Sequence, residues 1–371
     1  MTVAKRSILV FSIGSLGDTL VALPAYHLIR EHHPDWRIVL LTNSPVDGGV
    51  KAAPSHQILL GSGLVDDYLE YPHGSRDARA LAAVAAKIRL LRPAQGVYLM
   101  PVRTVRQRLR DALFFAAAGL PTMRGLWPTN DKDRHLPVQG QPEQRESEAS
   151  RLMRSIGFDP RLLEPRLFSL ELQPVERGSV QPLLAQLGGD RPFIALSVGA
   201  KVSAKDWGQD RWQDLLDQLR PTTSDHALVF IGSADEAERC DQLLERWPSR
   251  GLNLCGKLSP RQSAAVLERA ALFIGHDSGP MHLASSVGIP VVAIFAARNK
   301  PGVWFPYGNE ANVFYKLVPC HGCQLSTCIE NQKICIRSIQ PAEVVGRILD
   351  LLSHRRLAAA PLGDGRQAVD G

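Results

Sequence analysis

The sequence predicts an α/β protein of two parallel-sheet units facing each other across a cleft. Three observations carry that expectation. Strands and helices alternate, the alternation lapses once near the middle and then restarts, and the opening strand of each half runs into a turn containing glycine. Such alternation implies mostly parallel sheets with helices on both faces. The length of 371 residues also fits two ordinary cores better than one.

Residues 7–13 are short, apolar and rich in branched side chains, which predicts a buried strand. A Gly-bearing turn follows, then a helical pattern through Leu20, Leu23, Leu28 and Ile29. A strand is expected at 37–42, a helix at 78–91, a strand at 96–100 and a helix at 106–118, while Asp66-Asp67 reads as a loop before an apparent strand. From 128 to 144 the chain is polar and Pro-rich; a helix at 146–156 then leads into the Pro-punctuated stretch 159–174. The boundary falls there, giving a first domain over 1–170 and a second over 171–354. In the second, strands are expected at 193–197 and 227–231 and helices at 211–219 and 235–246. Ser259 and Pro260 read as the N-cap and first position of a helix ending near Ala270. Strands at 272–275 and 291–295 complete the set, and a last helix at 341–352 precedes a tail, 355–371, expected to be disordered. Two Rossmann-like units of this kind turn the carboxyl ends of their strands toward a common cleft, where ligands belong.

Composition narrows the class. Apolar residues at 44% and charged residues at 22% are ordinary for a globular protein, and no apolar run is long enough to cross a bilayer. Lys5 and Arg6 precede an apolar stretch, but Gly14, Gly17 and Asp18 interrupt it where a secretory signal would stay apolar, so a cytoplasmic location is expected. The net charge of +6 fits acidic lipid headgroups or a phosphorylated acceptor. It is too dilute to mark a nucleic-acid-binding protein.

Two turns carry the candidate chemistry. Residues 12–18 join the first strand to the first helix and put Asp18 at the cleft edge. The third glycine of a dinucleotide fingerprint is missing, and Asp18 would repel a pyrophosphate there. From the loop alone, Asp18 reads first as a helix cap, a role worth about 1 kcal/mol. Residues 274–282 follow a strand and open a helix in the second half. Backbone N–H groups from Ser278 onward, with the positive helix end, would face a diphosphate, Gly279 would let it approach, and His282 could add a donor. The plainer reading is a well-capped junction.

The run Ser15-Leu16-Gly17-Asp18, followed by Ala22-Leu23-Pro24-Ala25, resembles the opening motif of the ADP-heptose:lipopolysaccharide heptosyltransferases, glycosyltransferase family 9. Asp277-Ser278-Gly279-Pro280-Met281-His282-Leu283-Ala284, then Gly288-Ile289-Pro290-Val291-Val292-Ala293, resembles the same family's C-terminal signature. Gly199 and Lys205-Asp206-Trp207 look like its Lys-any-Trp element. The resemblance runs from Ile8 to the final helix and implies a GT-B fold with inverting transfer of a sugar from a nucleotide-diphosphate donor. It implies Asp18 as general base, with Ser15 and Gly17 in the acceptor-side loop, and Lys205, Asp277, Ser278, Gly279 and His282 around the donor. Glu236 resembles the acidic residue that holds the donor ribose, with Glu238 as competitor. The implied acceptor is a glycolipid or surface glycan, with peripheral contact at the inner membrane. No metal is implied for the chemistry, since Lys205 and the 278–281 amides could offset the leaving charge. One departure stands out: after Phe295 the family's Gly-rich turn is replaced by Ala296-Ala297-Arg298-Asn299-Lys300-Pro301, in a loop expected to border the donor.

Cys320, Cys323, Cys328 and Cys335 share one short polar segment, the loop 320–335, whose spacing suits a structural zinc or iron site. Free thiols are the alternative, disulfides are disfavoured in a reducing compartment, and Cys240 and Cys255 read as core residues. Two rival functions stay open on these residues: a nucleotide-sugar epimerase or hydrolase, and a catalytically silent nucleotide-binding protein.

Overall fold

The computed structural model describes residues 6–43, 55–72, 74, 77–127, 134–189, 191–247 and 249–359. In the first half, β1 (Ser7–Phe11) leads to α1 (Leu16–Val21), α2 (Leu23–His32), β2 (Arg37–Asn43), α3 (Ser55–Leu59), β3 (Asp67–Tyr71), α4 (Ala78–Leu91), β4 (Gln95–Tyr98) and α5 (Val105–Ala117). A hairpin of β5 (Pro137–Val138) and β6 (Gln141–Arg145), then α6 (Glu148–Ser155), bring the chain to two 3-10 turns. The second half runs α7 (Pro174–Ala185), β7 (Phe193–Ser197), α8 (Gln209–Thr223), β8 (Ala227–Phe230), α9 (Ala237–Leu244), β9 (Gly251–Asn253) and α10 (Pro260–Leu267). It closes with β10 (Leu272–His276), α11 (Gly279–Ser286), β11 (Val291–Phe295), β12 (Val313–Tyr315), α12 (Ile334–Arg337) and α13 (Pro341–Ala359).

One sheet has the order β3-β2-β1-β4 and the other β12-β11-β10-β7-β8-β9, with parallel pairs throughout both. Strand order therefore reverses between β1 and β4, and again between β7 and β10. At such reversals the connecting helices leave on opposite faces and open a crevice beyond the strands' carboxyl ends. Period-two alternation buries both faces. Ile8 and Val10 of β1 join one cluster with α2, while Leu9 and Phe11 join another with α4 and α5. Phe193 and Ala195 of β7 belong to the cluster that includes Ile8 and Val10, so one apolar core runs through both halves; Ile194 and Leu196 point to α8 and α13.

Contacts between the halves are specific. α1 packs on α11 and α3 on α10. Arg261, on α10, is 5% exposed and donates to the carbonyls of Ile58 (2.9 Å), Leu170 (3.0 Å) and Glu171 (3.0 Å) while pairing with Glu176. The N–H groups of Arg145 and Glu148 donate to the carbonyls of Pro301 (2.8 Å) and Val303 (2.9 Å). Gly302, at φ +91, makes this possible, because a Cβ there would lie 2.2 Å from the Arg145 carbonyl oxygen.

Several sequence expectations need correction. The first helix breaks at Ala22, because Pro24 cannot donate to a carbonyl of the preceding turn. The polar stretch 128–144 contains the β5–β6 hairpin from 137; residues 128–133 lie outside the described residues. Asp67 begins β3 and pairs with Arg37, while Asp66 pairs with Arg30. The 291–295 strand does not complete the set, since the three-residue edges β9 and β12 are too short to show a period. α13 continues to Ala359, through a segment with no Gly or Pro, so the first five residues of the expected disordered tail are helical. Residues 360–371 lie outside the described residues.

Candidate active site

The turn after β1 is organised by the carboxylate it carries. Ser15 caps α1 from extended backbone, and its N–H and Oγ–H both donate to Asp18 Oδ2, at 2.6 and 2.7 Å. This is the capping role that the loop alone suggested, satisfying a donor the helix start leaves open. Gly14 is required: a Cβ there would sit 2.4 Å from that of Asp18. Asp18 remains half-buried and borders a small cavity with Ser12, Leu99, Pro101 and Glu148.

Opposite it stands the turn after β10. Ser278 occupies the N-cap of α11, Ser278, Gly279 and Pro280 are half-buried, and the first-turn amides have no partner within the helix. Leu16 lies against Gly279, where a Cβ would meet Leu16 Cδ2 at 2.7 Å. Gly17 faces His282, its hypothetical Cβ being 3.4 Å from the imidazole Cδ2. Thus the Asp18 turn and the Asp277–His282 turn touch across the cleft. Burial lowers the His282 pKa to about 4, with Asp277 and Asp18 pulling up and Lys205 pushing down.

Lys205 follows β7 in a single 3-10 turn. Its Nζ lies 2.7 Å from Asp277 Oδ2 as an ion pair and donates to the Asp277 carbonyl at 3.0 Å. Its neighbours hold it there. Trp207 is 1% exposed and its indole N–H donates to the Ile339 carbonyl. Asp206 takes two bonds from Arg239, at 3.0 and 3.1 Å; burial alone would raise its pKa, but the guanidinium outweighs burial and holds it below the usual range.

Glu236 ends the 3-10 turn beyond β8. Its carboxylate fills space that only bare Cα atoms leave: a Cβ on Gly199 would lie 1.8 Å from Oε1, and one on Gly232 2.0 Å from Oε2. Burial raises its pKa, against hydrogen bonds from Ser233. Glu238 instead falls within α9, beyond this cradle.

His276, inside the quoted motif but given no role from sequence, ties these loops together. The Trp207 N–H donates to its Nε2 at 3.1 Å, which leaves Nδ1–H to donate to the Gly199 carbonyl at 3.1 Å. Glu148 and Arg151 were also missed. They are buried as an ion pair, with His135 on Glu148 and the Arg151 guanidinium donating to the Met100 carbonyl. The signal for His276 lay at the end of its strand; that for Glu148 and Arg151 was only a pair three apart on a helix. Two larger cavities lie nearby in the second half and at its junction with the first. One of about 320 Å³ reaches His282 and Glu148, and one of about 680 Å³ lies under residues 165–172, away from the named carboxylates.

The loop after β11 lies against the β6–α6 junction through Pro301 and Val303. The cysteine loop is pinned by backbone bonds, from Gly322 N–H to the Ala297 carbonyl and from Ala204 N–H to the Ser326 carbonyl. Cys320, Cys328 and Cys335 are half-buried free thiols and Cys323 is exposed. Among the described residues no three or more His, Cys, Asp or Glu side chains are grouped closely enough to hold a metal ion as placed. Cys240 and Cys255 are buried free thiols, as expected of core residues.

The chain is similar to known proteins in sequence and in fold. Residues 168–334 match the model of glycosyltransferase family 9 (heptosyltransferase). Lipooligosaccharide heptosyltransferase 2 of Campylobacter jejuni is 24% identical over 348 residues, spanning 92% of this chain and 97% of the relative. The family 9 glycosyl transferase structure from Veillonella parvula superposes with a TM-score of 0.71 at 18% identity, covering 95% of this chain and 99% of that one. The ADP-heptose lipopolysaccharide heptosyltransferase II of Escherichia coli gives 0.67 at 19%, covering 95% and 100%. The fold is therefore GT-B. Residues 168–334 of this chain thus carry a glycosyltransferase family 9 (heptosyltransferase) domain, and over nearly its whole length the chain is similar to heptosyltransferases.

Proposed function

We propose that this chain is an inverting glycosyltransferase that moves a heptose from an ADP-heptose-like donor to a hydroxyl of a lipopolysaccharide core or related surface glycan. The observation that carries the reading is the meeting of two turns from opposite sheets, Leu16 and Gly17 against Gly279 and His282. One turn carries a carboxylate and the other a helix start. The names of the relatives, heptosyltransferases of lipooligosaccharide and lipopolysaccharide, support the sugar and the acceptor class.

In this mechanism the acceptor oxygen attacks the anomeric carbon as the bond from that carbon to the diphosphate breaks. Asp18 takes the hydroxyl proton, a contribution of about 10² to 10⁴ in rate. The diphosphate gathers charge as it leaves. Lys205 and the amides at the start of α11 offset it, Gly279 allows close approach, and neutral His282 serves as a hydrogen-bonding group. Asp277 orients Lys205, and Glu236 holds the donor ribose. Ser15 and Gly17 form the acceptor side. The acceptor is a glycolipid met at the cytoplasmic membrane face; among the described residues no helix is long and apolar enough to cross a membrane.

Asp18→Asn tests the base. The variant is expected to lose transfer while its donor affinity stays within a few-fold, measured by product analysis and calorimetry; retained turnover refutes the assignment. A structural zinc or iron at Cys320, Cys323, Cys328 and Cys335 is a separate proposal resting on their clustering. It requires the loop to draw the four thiols together. Elemental analysis of purified protein decides it: about one metal per chain supports the site, and four titratable thiols in metal-free native protein end it.

A further inference from the structure

We propose that the outer face of α5, with the adjoining end of α4, is a docking surface for an anionic lipid bilayer. A surface helix ordinarily turns its charged side to solvent. α5 does not. Val105, Leu109 and Leu113, each four residues apart and hence in one line, are 78%, 53% and 65% exposed. Val102, just before the helix, is 51% exposed, and Leu90 at the end of α4 is 84% exposed. The stripe is not a misplaced core, since the neighbouring face of α5 already buries Ala112 and Phe115 in one cluster with Val84 and Ile88 of α4.

The charge around the stripe has one sign. Between residues 78 and 127 the chain carries nine Lys and Arg and a single acid, Asp111, an excess larger than the +6 of the whole chain. Asp111 is 2% exposed, accepts from the Tyr98 hydroxyl at 2.7 Å, and pairs with Arg103 and Arg110, so its charge faces inward. Arg79, Lys87, Arg89, Arg92, Arg106 and Arg110 are all exposed. An apolar line rimmed by cations fits an interface of acyl chains beneath anionic headgroups, where the apolar side chains dip in and the long basic ones reach phosphate. A second copy docking face to face would set one cationic rim on another. Nucleic acid would leave the leucines unsatisfied.

The surface is also well placed. Leu99 and Pro101, in the loop that leads into α5, border the same small cavity as Asp18. Docking through α5 would hold that side of the cleft at the lipid surface, a purpose that rests on the proposed glycolipid acceptor; the binding itself does not depend on that reading.

The test is flotation of the full-length protein with vesicles of phosphatidylcholine alone or with about 30% phosphatidylglycerol. Partitioning is expected to be at least about tenfold stronger on the anionic vesicles and to fall away near about 0.5 M salt. The exposed double substitution Leu109→Ser with Leu113→Ser is expected to weaken it about tenfold. Transfer to a soluble acceptor by the variant is expected to equal that of the parent. Absence of binding to anionic vesicles overturns the proposal, as does binding that the double substitution leaves unchanged. Self-association lost in the variant, without vesicle binding by the parent, assigns the face to a second copy and also overturns it. Flotation without any sugar transfer would sink the proposed function and leave the docking surface standing.

Discussion

Lowering the pH from 7 to 5 is expected to destabilise the second half of the molecule by about 2 kcal/mol through His276 alone. Both its ring nitrogens are committed: Nε2 accepts from the Trp207 N–H, and Nδ1–H donates to the Gly199 carbonyl. The accepting nitrogen must stay unprotonated for that bridge to hold. Burial lowers the pKa from the ordinary 6.5 to about 4. Between those values the unfolded chain binds a proton that the folded chain refuses. The stabilisation is therefore complete above pH 6.5, declines as pH falls, and levels off below about 4 after a loss of about 3 kcal/mol. Urea unfolding at the two pH values would be followed by tryptophan fluorescence, because the Trp212 ring lies 5.2 Å from that of His276. His276→Gln keeps one donor and one acceptor but cannot titrate, so its loss between pH 7 and 5 should be smaller than that of the parent by the stated amount. His282, also lowered to about 4 by burial, supplies a similar loss in both proteins. Equal losses in parent and variant would refute the reasoning.

Two further outcomes follow from the packing. Gly199→Ala would put a Cβ 1.8 Å from Glu236 Oε1 and expel that carboxylate from its cradle. Donor affinity by calorimetry should fall about tenfold or more with the fold retained, equivalent to about 1.4 kcal/mol; unchanged affinity would remove Glu236 from the donor site. Arg261→Met takes the guanidinium from Glu176 and leaves the Ile58 and Leu170 carbonyls without this donor at the contact between the halves. Its expected cost is about 3 to 5 kcal/mol in urea unfolding, and a loss below about 1 would show the clasp to be dispensable.

Legibility in the sequence followed the strength of the local signal. β7, β11 and α4 match their expected bounds because each is a branched apolar run or an Ala-rich helix between clear breakers. Ser259 and Pro260 announced the start of α10 by cap chemistry, and the structure adds the reciprocal partner Gln262. β9 and β12, at three residues each, give no period to detect and exist because a neighbouring strand offers them an edge. The end of α13 is hard to read because a polar, Ala-rich composition suits both disorder and helix, and no helix breaker stands between Gly346 and Pro361. Placement next to strand ends is legible: Asp18, Lys205 and Ser278 lie in the turns expected to hold them. His276 and Arg151 act through backbone groups far away in sequence, Gly199 and Met100, and no pattern within one segment encodes that.

The capping bonds of Asp18 bear on whether it can also be a base. Read from sequence, cap and base are competing roles; in the geometry the cap is formed and is compatible with the proposed base. Both Ser15 donors converge on Oδ2, and a carboxylate offers roughly four acceptor positions, so capacity remains for a hydroxyl proton. What the cap removes is rotational freedom: the carboxylate is held within the same helical turn that carries Leu16 and Gly17. Those two residues are the ones that touch Gly279 and His282. The carboxylate is thereby fixed relative to the opposing helix start by two contacts and two hydrogen bonds, which is the kind of preorganisation by which positioning supplies much of a rate.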